Sequence, residues 1–247
     1  MTEAPSVIWQ GVEYGSYDAD LPLWDELAAA YPSPILELGC GIGRVTLRLA
    51  RRGREVWGID VDRKRLEELR RRGREEDLAV HAVVADASRF SLDGQSFGLV
   101  LAPMQLAELL GASAAHRMVE AAARHLRPGG LLAVAVLDPD DIPAPGTYEL
   151  PSPLPDVREL GGWVFSSLPI RLEHSDGRLL ADRLRQVVSP DGELTEERDR
   201  VTLERLGPDR LETMAADAGL RCLGRRLVPP TESHLGSLVV LAEAPDG

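Results

Sequence analysis

A chain of 247 residues with 44% apolar content holds enough material to bury about 70–75% of its unfolded surface around one core, so a single domain over 1–247 is expected. Forty acidic against 28 basic residues give a net charge of −12, which repels a nucleic-acid backbone unless basic residues segregate onto one face. Two cysteines, no leader-like start and no apolar run near the ~18 residues of a membrane span argue against a disulfide framework, a metal site and a membrane partner, and point to the cytoplasm.

The N-terminal stretch carries Tyr14, Tyr17, Asp18 and Trp24, and Pro22 suits the first turn of a helix running to about Ala30. Residues 1–30 therefore read as a lid segment and a helix, packed through Leu23 and Leu27. A short apolar run from Ile35 ends in Gly39, Gly41 and Gly43, and Val45 and Leu49 then begin a helical stripe that stops at Gly53. Glycines spaced in this way let a ligand approach the backbone. A dinucleotide fingerprint requires glycine at 44, where Arg44 stands. A phosphate-binding P-loop requires a lysine here, and the only lysine is Lys64.

Glu55–Asp60 reads as the second strand, with Asp60 placed to accept bonds from both hydroxyls of a ribose and Asp62 placed to cap the next helix. Arginines from Arg63 to Arg74 are interleaved with glutamates and read as a solvated helix face. Ala79–Val84 is the third strand and leads into Ala85-Asp86-Ala87; His81 within it takes no role. Ser96–Ala102 is the fourth, followed by Pro103-Met104-Gln105. A helix over Ser113–Leu126, N-capped by Ser113, stops at Arg127-Pro128-Gly129-Gly130 before the fifth strand, Leu131–Leu137.

The series Glu37-x-Gly39-x-Gly41-x-Gly43, then Asp60, Asp86 and the fourth-strand turn on an alternating β/α pattern, resembles the class I (Rossmann-like) S-adenosylmethionine (SAM) dependent methyltransferases over roughly residues 14–137. The resemblance implies an α/β fold with a seven-stranded, mostly parallel sheet of order 3-2-1-4-5-7-6 flanked by helices, strand 7 running antiparallel. It implies SAM as cofactor. Glu37 would orient the ammonium, the backbone of Gly39, Cys40, Gly41 and Gly43 would lie beneath the amino-acid part and ribose, and Tyr17 of the lid would touch the methionine portion. Asp60 with Val61 would hold the ribose, Asp86 with Ala87 the adenine, and Ala102, Met104 and Gln105 would complete the site. Two departures stand out. Gly98 occupies a position where the family usually has Asp, and the Asp/Asn-Pro-Pro-aromatic sequence of base and glutamine N-methylation is replaced by Ala-Pro-Met-Gln. No Pro-Cys pair exists for cytosine-carbon methylation.

Residues 138–206 read as an insertion: a proline-rich loop over 138–160, then an antiparallel meander of Trp163–His174, Arg178–Ser189 and Glu193–Leu206, turned at Ser175-Asp176-Gly177 and Pro190-Asp191-Gly192. The meander is either a substrate cover or a flap that forms a homodimer. Pro208–Ala218 is a helix, and Leu220–Val228 and Gly236–Ala242 form a closing hairpin whose loop carries Glu232 and His234 at the ligand edge. The expected activity is SAM-dependent O- or N-methylation of a small molecule enclosed in a pocket of ~300–1,000 Å³. Where a base is needed, the candidates are His234, His174, Glu108 and Tyr17. A SAM-binding regulatory or assembly protein without transfer activity is the alternative from another class, and a nicotinamide-dependent oxidoreductase is disfavoured by Arg44.

Overall fold

The alternating apolar runs and amphipathic stripes form two sheets in the computed structural model, which describes residues 3–150, 154–232 and 234–246. The chain opens with α1 (Pro5–Glu13) and α2 (Leu21–Ala30), then alternates β1 (Ile35–Leu38), α3 (Arg44–Arg51), β2 (Val56–Asp60), α4 (Arg63–Glu75), β3 (Val80–Val84) and β4 (Phe97–Ala102). Next come α5 (Leu106–Leu110), α6 (Ala112–His125), β5 (Leu126–Leu137), β6 (Gly146–Glu149), β7 (Asp156–Leu160), β8 (Trp163–Ser175), β9 (Arg178–Val188) and β10 (Leu194–Glu204). The chain closes with α7 (Pro208–Asp217), β11 (Arg221–Val228) and β12 (Ser237–Glu243).

The first sheet has seven strands in the order β11-β12-β5-β4-β1-β2-β3. β12 is antiparallel to both neighbours and the others run parallel, which is the order 3-2-1-4-5-7-6 when this sheet is numbered alone. Side chains alternate across it with the strand period of two. Leu36, Leu38, Val100, Val134 and Val136 face α6 and α7, while Ile35, Leu99, Leu101, Ala133 and Ala135 face α2 and α3 with Trp24 and Leu49. Burial on both faces explains why the central strands read as unbroken apolar runs. Their carboxyl ends at Leu38, Asp60, Val84 and Ala102 come out along one edge, where such sheets hold ligands.

Several boundaries differ from expectation. α6 begins one residue before Ser113 and has Gly111 at its cap position with no side-chain cap, so Ser113 does not cap it. Arg127–Gly130 is not a free turn but a bulge within β5, where the register on β4 jumps between the Phe97 and Leu99 pairings. The 138–160 stretch contains two short strands, β6 and β7, that pair with the two ends of β8; four- and five-residue strands among prolines leave no readable period. Residues 151–153 of that stretch lie outside the described residues. α1 was not expected. Its signals are Pro5 at the first turn and Ile8 four residues before Val12, masked by Gly11 in mid-helix.

Gly98 has a packing reason. A Cβ there would lie 2.1 Å from the Pro32 carbonyl oxygen and 2.7 Å from its ring, because the chain entering β1 crosses directly over β4 and Gly98 N–H donates to Pro34 O at 3.1 Å. No side chain fits, so the family's usual Asp is excluded here. Gly98→Ala is expected to destabilise the fold by about 2 kcal/mol, lowering Tm by roughly 4–8 °C. A melting curve unchanged from the parent would show that the crossing gives way without cost.

The second sheet has the order β10-β9-β8-β6, with β7 on β8. It is the meander, and α1 packs on it through Ile8, Trp9, Val12 and Phe165, the Trp9 ring standing edge-on to Phe165 at 5.8 Å. Among the described residues no helix is long and apolar enough to cross a membrane.

Candidate active site

The three turn glycines have left-handed backbones, with φ of 69°, 54° and 91° at Gly39, Gly41 and Gly43. Each meets a different neighbour. A Cβ on Gly39 would touch Leu106 at 3.1 Å, one on Gly43 would overlap Leu69 at 2.4 Å, and one on Gly41 would coincide with the Gln10 amide at 1.8 Å. Gly39 and Gly43 are thus required by packing as well as by conformation and both line the cavity, while Gly41 lies under the Gln10 side chain of α1. The Cys40 side chain is buried against Gly58, and burial raises its thiol well above the ordinary value, so only its backbone serves the turn.

Asp60 ends β2 with both carboxylate oxygens engaged by backbone: Oδ2 accepts from Gly41 N at 2.9 Å and Oδ1 from Asp62 N at 2.8 Å. Each oxygen keeps a second lone pair, so Asp60 ties the glycine turn to the strand end and still presents acceptors to the cavity. Asp62 caps α4 as expected, accepting from Lys64 N and Arg65 N at 2.8 and 3.2 Å. Burial pushes its carboxyl up, but bonds from Ser6 and these two amides outweigh it and hold it below the ordinary value. Val61 between them is 69% exposed although it lines the cavity, an apolar ledge at its rim.

Glu37, on β1, is 4% exposed and accepts a short hydrogen bond from Thr46 Oγ1. Burial pushes its carboxyl up to about 7. A buried acid hydrogen-bonded by Thr46, its carboxyl still pushed up despite the nearby Arg44 charge, and lining a cavity, suits a cationic group that would draw it into the ionised form. A carboxyl raised from 4.5 to about 7 contributes stability that is complete below pH 4.5 and lost as pH rises through 7. The free protein is expected to lose about 3 kcal/mol from this group over that window, and Glu37→Gln to flatten the slope in urea melts. Glu108, also raised to about 7 by burial, keeps part of the slope in that variant. An identical pH slope in parent and Glu37→Gln would rule out this origin.

Asp86 binds its own turn: Oδ1 accepts from Ser88 N at 2.9 Å and Ser88 Oγ at 2.8 Å, and Oδ2 pairs with Arg89 at 3.0 Å. It lines the cavity with Ala87, Met104 and Gln105. Met104 holds a left-handed φ of 56°, unusual for a residue with a side chain, where the chain turns from β4 into α5. Ala102, expected in the cofactor site, is not in the cavity lining; its side chain is fully buried and its strand pairs with β5.

These groups face one cavity of about 1690 Å³ between the strand ends, α1, the meander and the β11–β12 loop. That exceeds the ~300–1,000 Å³ of a site for one drug-sized ligand and leaves room for two. Arg44 closes the near side, donating to both Asp20 oxygens at 2.6 and 2.7 Å and to Tyr17 O at 2.9 Å. Its guanidinium lies 5.1 Å from the Tyr17 ring centroid, and the His234 ring lies tilted against Tyr17 at 4.5 Å and 31°. Burial lowers the His234 imidazole below 6.5 and raises the Tyr17 phenol to about 12. Near neutral pH His234 is therefore uncharged and basic, whereas Tyr17 offers only a donor or a surface.

The four base candidates separate. Tyr17 and His234 come together in the cavity wall; His174 and Glu108 do not reach it. His174 is held in the meander by Pro143 O at 2.7 Å and Arg205 at 3.1 Å, and Glu108 accepts from Leu137 N at 2.9 Å, bracing the end of β5. Both satisfy buried polar groups, the usual fate of such side chains.

A wall that the sequence did not reveal comes from α1 and the meander. Glu13, 3% exposed, takes Arg185 in a two-point pair at 2.7 and 3.0 Å and the Ser167 hydroxyl at 2.8 Å. Arg183 donates to Ser167 Oγ at 2.7 Å and Asp156 Oδ2 at 2.5 Å, and Arg185 also pairs with Asp199 at 3.0 Å. The only local signal was the arginine pair two apart on a strand, which share a face; the partners lie 14 to 172 residues away.

Residues 35–130 match a protein-family model described as a methyltransferase domain. A curated relative, the S-adenosyl-L-methionine-dependent Diels-Alderase iccD of Talaromyces variabilis, is 30% identical over 113 residues, 45% of this chain and 39% of that protein. The match thus spans well under half of the relative's length. The fold is similar to the CcbJ methyltransferase from Streptomyces caelestis, at 23% identity and TM-score 0.73 over 97% of this chain and 98% of that one. It is also similar to the sugar N-methyltransferase KedS8 from Streptoalloteichus sp ATCC 53650, at 16% identity and TM-score 0.75 over 100% and 94%. Fold, motif order and family model agree on the class I, Rossmann-like SAM-dependent methyltransferase architecture.

Proposed function

We propose that this chain, with its class I methyltransferase fold and a methyltransferase domain at residues 35–130, transfers the methyl group of SAM to an amine of a small polar molecule. The observation that carries the reading is one cavity faced by Glu37, the glycine turn and Asp60 on successive strand ends, with volume left for a second ligand. The residues fit the cofactor: left-handed glycines admit a ligand against the backbone, Asp60 retains acceptors for a ribose, and buried Glu37 awaits a cation.

When bound, SAM supplies an electrophilic methyl on a sulfonium. The protein's part is to hold acceptor and donor in line at ~3 Å, worth ~7–11 kcal/mol, and to keep water away. Tyr17, fixed by Arg44 and Asp20, closes the near wall. His234, neutral beside it, takes the proton that an ammonium acceptor must lose before its lone pair can attack.

Two features favour an amine over a hydroxyl. The whole chain carries −12, so a cationic acceptor is attracted. The similar fold KedS8 is described as a sugar N-methyltransferase. The test is a screen of small amines and matched alcohols with methyl-labelled SAM, read by mass spectrometry: label in amines supports the reading, label confined to alcohols overturns it.

A second reading keeps SAM without transfer, and the Diels-Alderase relative motivates it. It predicts saturable SAM binding, consumption of acceptor, and no labelled product. The chain as a single domain in the cytoplasm, without nucleic-acid or membrane partners, belongs to the same proposal, as does a homodimer through the meander.

A further inference from the structure

α1 has two attachments of unequal strength. Its apolar face, Ile8, Trp9 and Val12, is buried on the meander around Phe165, with Trp9 also 5.0 Å beneath the Arg185 guanidinium. Its hold on the cofactor half is smaller: Gln10 Oε1 accepts from Ile42 N at 3.0 Å, Ser6 bonds the Asp62 carboxylate, and the Ile42 side chain lies against Gly11. Apolar burial on the meander outweighs these two hydrogen bonds, the first of them part-buried, so α1 is held mainly by the meander and rests on the cofactor turn.

The resting contacts fall on the positions a cofactor would change. The Gln10 amide covers Gly41, whose N–H is held by Asp60, and Ser6 reaches Asp62, whose N–H is held by the same carboxylate. A ligand on the turn must touch or displace Gln10. One turn further along the same helix, Glu13 is the buried acid that fixes Arg185 and Ser167, and through Ser167 orients Arg183 in the wall of the acceptor space.

We propose that α1 couples occupancy of the glycine turn to the arrangement of the acceptor wall, with Gln10 and Glu13 as its positioning residues; this rests on reading the turn as the SAM site. Cofactor contact re-seats Gln10, the helix transmits the displacement as a rigid element, and Glu13 carries it into the meander's arginines. Cofactor then binds first and completes the site for the acceptor. Reciprocity requires an acceptor in the wall to tighten the cofactor by the same factor.

The test uses S-adenosylhomocysteine at saturation on the full chain, read by hydrogen exchange. In the parent, exchange should slow at residues 39–44 and, by about tenfold, at 163–168 and 183–187 in β8 and β9. In Gln10→Ala the turn should remain protected while the effect on β8 and β9 disappears. Glu13→Gln, which keeps shape and loses charge, should give the same split. Slowing in β8 and β9 that is absent in the parent, or equal in parent and Gln10→Ala, overturns the coupling while leaving the cofactor reading intact. Absence of protection at 39–44 in the parent overturns both.

Discussion

Asp60→Ala is expected to lower SAM affinity by about 10²–10⁴-fold in calorimetry. The ribose hydroxyls would lose two charge-assisted bonds, each worth about 1.5–3 kcal/mol. The structure adds a second loss. Asp60 Oδ2 and Oδ1 also hold Gly41 N and Asp62 N, so its removal loosens the turn itself and leaves a buried N–H without its acceptor. Asp60→Asn keeps an acceptor for one of these and should fall between parent and alanine. The control is Asp62→Ala, two residues on, which removes the α4 cap and should cost about 1 kcal/mol of stability with SAM affinity nearly unchanged. If the two alanine variants exchanged these behaviours, the assignment of ribose and cap would be reversed.

That pair also shows what kind of information the sequence carries. Asp60 and Asp62 were distinguishable in advance because capping and strand-end geometry are local, set within a few residues. The sheet order was legible for a related reason: alternating β/α units with short connections allow few arrangements, and a right-handed crossover selects among them. Ser113 illustrates the limit of local rules, since a residue suited to capping stands one place inside the helix that Gly111 begins.

Contacts that span the chain were not legible. Glu13 and Arg185 are 172 residues apart and pair only because α1 lies on the meander, and nothing near either one announces the other. Gly98 looked like a missing family acid until the Pro32 carbonyl was seen 2.1 Å from its missing Cβ. Among the base candidates the same distinction decides. His174 and Glu108 had suitable chemistry, and they bond the distant backbone of Pro143 and Leu137 outside the cavity lining.

His234 is the candidate that the fold brings to Tyr17, and His234→Phe is expected to lower kcat by about 10²–10⁴-fold at saturating SAM. Phenylalanine keeps a flat ring against Tyr17 and removes the proton acceptor, so SAM affinity and Tm should stay near the parent's. The pH profile supplies the sign. Burial holds the imidazole below 6.5, so the neutral form persists through neutral pH and is lost as the medium becomes more acid than that. The parent's kcat should therefore fall on the acid side of 6.5, and this limb should vanish in His234→Phe. Burial pushes the Glu37 carboxyl up to about 7, and under the proposed function it acts on cofactor binding, so saturating SAM removes its influence from kcat. A variant with parental kcat and an unchanged acid limb would place the proton transfer elsewhere, on the solvent or on the acceptor's own buffering. A variant with low kcat and a weakened SAM affinity would make His234 a support for Tyr17 rather than a base.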